Sequence, residues 1–182
     1  MSVEGRQRLP VVTYLGHTSR ALSFYALDDI YLAIGRTSAW QDDETTNEHF
    51  IPPEPALEET TLDELVGMKK LTRKQLVMPD ENGTIQYRNT TWKVISEEEA
   101  IANQARWVYV ECCVYFDELP LVDYRQIGIF SRVKKADGVS KSQTVLLPED
   151  IKSLGLLEVI DNRHVVTRQV DTKDLYSMII EF

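Results

Sequence analysis

The chain is poor in the residues that carry out chemistry. It holds two cysteines, three histidines and eight glycines among 182 residues. Cys112 and Cys113 are neighbours, and neighbours on a strand point to opposite faces. A bond between them would strain the peptide unit, so no disulfide staple is expected. His17, His49 and His164 lie far apart and form no His-x-His, His-Glu-x-x-His or Cys-x-x-Cys pattern, which leaves no metal site to propose. No Gly-x-Ser-x-Gly elbow and no phosphate-cradling glycine loop occurs, and no cofactor is expected. No apolar run approaches the ~20 residues that span a bilayer. The stretch 1–10 carries Glu4, Arg6 and Arg8 without an apolar region, so it does not read as a secretory leader, and synthesis in a cytoplasm follows. Positive charge is scarce, with 20 Lys and Arg against 29 Asp and Glu, for a net charge of −9. That balance repels phosphate backbones, and no basic stripe reverses it locally. Neither nucleic acid nor a membrane is expected as a partner.

What is present is sheet-forming sequence. Hydrophobic residues make up 43%, enough for a core without staples. Ile30 to Arg36 alternates as a strand, with Ile30, Leu32 and Ile34 on one face. Arg106 to Phe116 is the longest strand, apolar on both faces and therefore central. Tyr124 to Val133 and Leu175 to Phe182 complete the clearest set. Thr18 or Ser19 caps a helix running to about Leu27. Thr61 with Glu64, and Ser96 with Glu99, form capping boxes, each opening a short helix. Pro79 to Gly83 reads as the turn of a hairpin between Lys74–Met78 and Thr84–Asn89. Trp92 to Ile95 adds a strand. Asp161-Asn162 reads as a two-residue hairpin turn between Leu156–Ile160 and Arg163–Val170. The polar stretch from Ala136 to Gln143 reads as a mobile loop, and Pro148 opens one helical turn. The sum is about eight strands and three or four short helices, mainly β. It fits an antiparallel β-sandwich in a single domain over 1–182, with a short N-terminal helical segment and a loop-rich middle at 56–106.

The most informative segment follows the first strand. Gly35 frees the backbone, Arg36 follows, and Trp40 enters a long loop through Phe50, Pro52, Pro53 and Pro55. Such a loop either folds its tryptophan back on the sheet end or offers aromatic anchors to a partner; Trp40, Phe50, Pro52 and Pro53 are the candidate partner surface. Chemical readings are weaker. Asp42-Asp43-Glu44 lacks the carboxylate order and glycine of a calcium loop. Asp117 and Glu118 are paired carboxylates without the geometry of a glycosidase. Cys112 with His164 lacks an orienting third group. No catalytic residue is assigned, and the chain does not read as an enzyme.

Three blocks resemble the baseplate wedge protein family of T-even phages, the product of gene eight. The first is Tyr31-Leu-Ala-Ile-Gly35-Arg36-Thr-Ser-Ala-Trp40, continuing to Phe50-Ile-Pro52-Pro53-Glu-Pro55. The second is Val114-Tyr115-Phe116, Leu119-Pro120 and Tyr124-Arg125-Gln126-Ile127-Gly128-Ile129. The third is Asp161-Asn162-Arg163 with Asp171 and the apolar end at Phe182. Gly35, Arg36, Arg125, Asn162 and Arg163 are the motif residues to which the resemblance assigns a structural role. Between the first two blocks this chain is much shorter, and His164-Val165 replaces a proline pair. The resemblance implies a compact subunit of a contractile-tail baseplate wedge, located in the virion. It implies that the chain binds other wedge proteins during assembly, pairs with a second copy and catalyses nothing. Sandwiches with exposed Trp and Tyr also bind carbohydrate, which is the alternative reading, together with another virion or tail component.

Overall fold

The computed structural model describes residues 10–41, 44 and 46–182. The stretch 1–9, and with it the reading of the leader, lies outside the described residues, as do Asp42 and Asp43 of the acidic run. In chain order come α1 (Tyr14–Tyr25), β1 (Ile30–Gly35), β2 (Gly67–Lys70), β3 (Arg73–Pro79), β4 (Ile85–Tyr87) and β5 (Thr90–Val94). Then follow α2 (Glu97–Ala102), β6 (Trp107–Tyr115), β7 (Asp123–Ser131), β8 (Lys134–Lys135) and β9 (Val145–Leu146). A 3₁₀ turn (Pro148–Asp150) leads into β10 (Ile151–Ser153), β11 (Leu156–Thr167) and β12 (Lys173–Glu181). Two five-stranded antiparallel sheets form, ordered β11-β7-β1-β2-β9 and β12-β6-β3-β5-β4, with β10 and β8 as a separate pair. This is the mainly antiparallel, sandwich-like β fold expected, with the strand count raised by short pieces.

The pattern of apolar residues explains the layers. Ile30, Leu32 and Ile34 of β1 face Val108, Val110, Cys112 and Val114 of β6 in one buried cluster, with Ala21 and Phe24 of α1 joining it. Each such aliphatic side chain contributes about 1.5–3 kcal/mol by leaving water. The opposite face of β1 is also covered: Tyr31 and Ala33 pack with Leu62, Met68, Phe130 and Leu146. The outer face of the second sheet is covered more thinly, by Ile85 over Val77 and Tyr109, and by the edge-on pair Trp92 and Trp107 at 5.9 Å. β12 keeps Tyr176 and Ile180 inside, and Phe182 closes the chain against Phe24 at 5.0 Å.

Several local readings are corrected. α1 starts earlier than Thr18: Thr13 is the cap, its hydroxyl accepting from the Gly16 N–H at 3.2 Å. Thr18 is buried inside the helix and donates to the Tyr14 carbonyl at 3.0 Å. The Ser96–Glu99 capping box forms as expected and opens α2. The Thr61–Glu64 box does not form, because the Glu64 carboxylate is engaged elsewhere and its backbone is left-handed at φ 44°. The Pro79–Gly83 turn is made, with the Gly83 N–H donating to the Asp80 carbonyl at 3.0 Å, but its flanking strands do not pair. β5 takes the place beside β3, and β4 pairs on its far side. Gly83 permits this, since a Cβ there would lie 2.3 Å from the Trp92 carbonyl oxygen. Asp161-Asn162 is not a hairpin turn; both residues continue β11, opposite Ile127 and Gln126 of β7. In the loop after Ala136 the Lys135 ammonium donates to the carbonyls of Ser140, Lys141 and Gln143 at 3.0, 2.8 and 2.5 Å. Residues 56–106 hold four strands and α2.

Candidate interaction surface

The segment leaving β1 is folded back on the sheet edge by a set of polar fastenings. It begins at Gly35, where a Cβ would lie 2.7 Å from the Asp63 carbonyl oxygen and 2.8 Å from the Leu62 Cβ, so only glycine lets the two segments close up. Arg36 then takes a left-handed φ of 53°. Its guanidinium donates to the Asp63 carboxylate at 2.7 Å and lies 3.8 Å from the centre of the Trp40 ring. Glu64 holds the next two residues, accepting from the backbone N–H of Thr37 at 2.8 Å and of Ser38 at 2.9 Å, and from both hydroxyls. The Ser38 and Thr37 hydroxyls, with these amides, hold the Glu64 carboxyl down to about 2.

Below this lies a buried ion pair. Arg125 on β7 is 5% exposed, and its Nε donates to the Glu44 carboxylate, itself 6% exposed. Arg125 also donates from Nη1 to the Thr37 carbonyl at 2.7 Å, while Glu44 accepts from the Trp40 N–H at 2.5 Å. Arginine suits this position because it keeps its charge when buried and presents several donors at once. The pair therefore fixes the strap at both Thr37 and Trp40.

The strap then runs beside β11. The Trp40 indole N–H donates to the Arg163 carbonyl at 3.0 Å, and the ring is half-buried. Phe50 is buried and meets the His164 ring edge-on at 5.9 Å. Asn162 donates from Nδ2 to the Pro53 carbonyl at 2.9 Å and accepts from the Gln126 amide at 2.9 Å. Gln126 in turn accepts from the Asp63 N–H at 2.8 Å, joining strap, sheet and the 62–64 turn. Pro52 is half-buried and Pro53 exposed. Gly35, Arg36, Trp40, Phe50, Pro53, Arg125, Asn162 and Arg163, widely spaced in sequence, are thus linked in one corner of the first sheet, across the end of β1, β7 and the edge strand β11. Glu44, Glu64, Asp63, Gln126 and His164 complete the arrangement and were missed. Gln126 and His164 sit beside the motif residues Arg125 and Arg163, Asp63 gives no sequence signal, and Glu44 and Glu64 read locally as an acidic loop and a helix cap.

Beyond Pro53 the strap leaves β11 and a cleft of about 390 Å³ opens between them, lined by Pro55, Ala56, Leu57, Leu157, Val159 and Ile160. Ile51 is 81% exposed and Leu57 fully exposed.

The other candidate chemistries are not assembled. Glu118 receives the Lys69 ammonium and the Tyr115 N–H, the latter at 2.9 Å. Cys112, on β6 of the second sheet, is buried against the first, 3.7 Å from the carbonyls of Lys69 and Lys70, and burial pushes its thiol up to about 12. His164 belongs to the other sheet, against Phe50. Among the described residues no group of three or more His, Cys, Asp or Glu could hold a metal ion, and no helix is long and apolar enough to cross a membrane.

Comparison with known proteins identifies the family. Virion protein 3 of Enterococcus phage phiEF24C is 36% identical over 151 residues, covering 79% of this chain and 78% of that protein. Residues 9–182 match a family model described as baseplate wedge 3 tail fiber network component. The match takes in both sheets and the whole strap, and the chain belongs to that family of phage baseplate and tail proteins.

Proposed function

We propose that this protein is a non-enzymatic wedge subunit of a contractile-tail baseplate, a compact counterpart of the gene-eight product. It holds neighbouring wedge proteins, and the tail fiber network named in its family description, through the strap that follows β1. The observation that carries this reading is the strap itself. It is fastened by the buried Arg125–Glu44 pair, yet it presents Ile51 and Leu57 to solvent. A fixed backbone with exposed apolar side chains has lost its ordering entropy before binding, which favours a permanent contact. Such side chains cost solubility in a free chain, and the net charge of −9 offsets that before assembly. A sugar-binding use of Trp40 is disfavoured because the Arg36 guanidinium occupies one face of its ring and the indole N–H is already given to the Arg163 carbonyl.

The test is incorporation. Ile51→Asp combined with Leu57→Asp should leave the melting of the purified chain unchanged, because both side chains are exposed, and should reduce its recovery in assembled tails. Normal particle yield with the double variant would remove the strap from the contact.

A further inference from the structure

The cleft beside β11 has a backbone wall as well as an apolar one. The Leu71 N–H donates to the Ile30 carbonyl, and the Lys70 N–H to the Thr144 carbonyl, which sets the parity of the first sheet. The β1 residues Tyr31 and Ala33 therefore bond to Phe130 and Gly128 of β7. Ser131, Ile129 and Ile127 are left to bond to Leu156, Val159 and Asp161 of β11. Leu157 and Ile160 consequently aim their N–H and C=O groups away from the sheet, into the cleft. β11 ends its sheet, and among the described residues no backbone hydrogen bond joins the segment 50–59 to it. The register shifts between Leu157 and Val159, so the free edge is short.

The rim has one sign of charge. Glu59 lines the cleft, with Glu54 and Glu58 exposed beside it; Glu158 lines it as well, but its carboxylate already accepts from the Ser131 hydroxyl. Among the described residues Glu54, Glu58 and Glu59 take part in no ion pair. Nothing basic lines the cleft.

We propose that the cleft between Pro55–Glu59 and β11 receives a short extended segment of another baseplate protein, with apolar side chains flanked by lysine or arginine. The segment lays its apolar residues against Leu57, Leu157 and Ile160. It pairs its backbone with the two outward rungs, and its cations meet the glutamate rim. The bulge limits the pairing to a few residues, which excludes a long strand and selects a short linear one. This rests on the strap being the contact surface and adds what that surface accepts.

The experiment uses the full chain and short overlapping peptides tiling the other virion proteins of the same particle. Binding is measured by calorimetry, and amide exchange is read on the best binder. Expected are binders that are apolar at the centre and basic at the ends, with affinity falling as salt rises. The Leu157 and Ile160 amides should gain protection. Affinity should fall at least tenfold in Glu54→Lys/Glu59→Lys and in Ala56→Trp, which fills the cleft. The absence of any binder, a binder without basic flanks, or affinity unchanged in either variant overturns the proposal. Loss of Ile51→Asp/Leu57→Asp from tails with no peptide bound leaves the strap as the contact and removes only this mode of occupancy.

Discussion

The two long edge strands, β11 and β12, solve the same problem differently. Each leaves one row of backbone groups without a strand partner. β12 runs through nine residues in unbroken register with β6 and carries Leu175, 61% exposed. β11 shifts register twice against β7 and is strapped along its middle by Trp40, Phe50 and Pro53. Irregularity and cover go together at the second shift, between Asn162 and Val166, where side chains from a distant segment take over the fastening; the first shift, between Leu157 and Val159, lies beyond the strap and faces the cleft. The regular edge relies on charges at its ends, Lys173 and Glu181, and on the linking Arg168, which bonds Asp174 and the Tyr115 carbonyl. One edge is defended by added structure and the other by little more than its own sequence.

The sharpest way to break that contrast is to remove one half of the buried pair. Arg125→Ala leaves the Glu44 carboxylate buried without its partner, and urea unfolding should show a loss of about 3–5 kcal/mol. The double variant with Glu44→Ala should recover some of that loss, because no lone charge remains. Trp40→Ala removes a half-buried ring, the Arg36 stack and the bond to Arg163; a loss of about 2 kcal/mol is expected in the same measurement. Asn162→Ala cuts the tie to Pro53 and frees Gln126, for about 1–2 kcal/mol. Leu175→Lys, the control on β12, should change stability by less than about 0.5 kcal/mol. A control effect as large as that of Asn162→Ala would erase the distinction between the edges.

Acid sharpens the comparison further. The Glu64 carboxyl is held down to about 2 in the folded chain, below the ordinary glutamate value near which it titrates when unfolded. Its contribution is therefore complete above that ordinary value and is lost as pH falls through about 2. Amide exchange at Thr37 and Ser38 should stay protected down through mildly acidic pH and open only in strong acid. Glu64→Gln should remove this pH dependence, while the amides of β12 are unaffected.

Much of the frame was legible because it depends on local periodicity. β1, β6, β7 and β12 each keep an apolar face over a full strand, and Ser96 with Glu99 is a self-contained cap. The failures share one cause. Pro79–Gly83 announces a turn, but nothing local says that β5, not β4, will lie beside β3. Asp161-Asn162 has the composition of a turn, yet Asn162 spends its amide on Gln126 and Pro53. Glu64 has the spacing of a cap and instead serves Thr37 and Ser38. At the strap, glycine, tryptophan and the prolines drew attention by type. The Trp40 partner at Arg163 lies 123 residues away, a separation that composition does not reveal.

The fastenings of the strap lie side by side, not in series. Arg163 and Asn162 on β11 and Arg125 on the neighbouring β7 hold it at separate points, so a tug parallel to β11 stretches all of them together. The rungs of β12, pulled from the chain end at Phe182, would break in succession, each alone. A neighbour that must transmit force through this molecule gains most by taking hold of the strapped flank, and single-molecule pulling from the two attachment points would register that anisotropy directly.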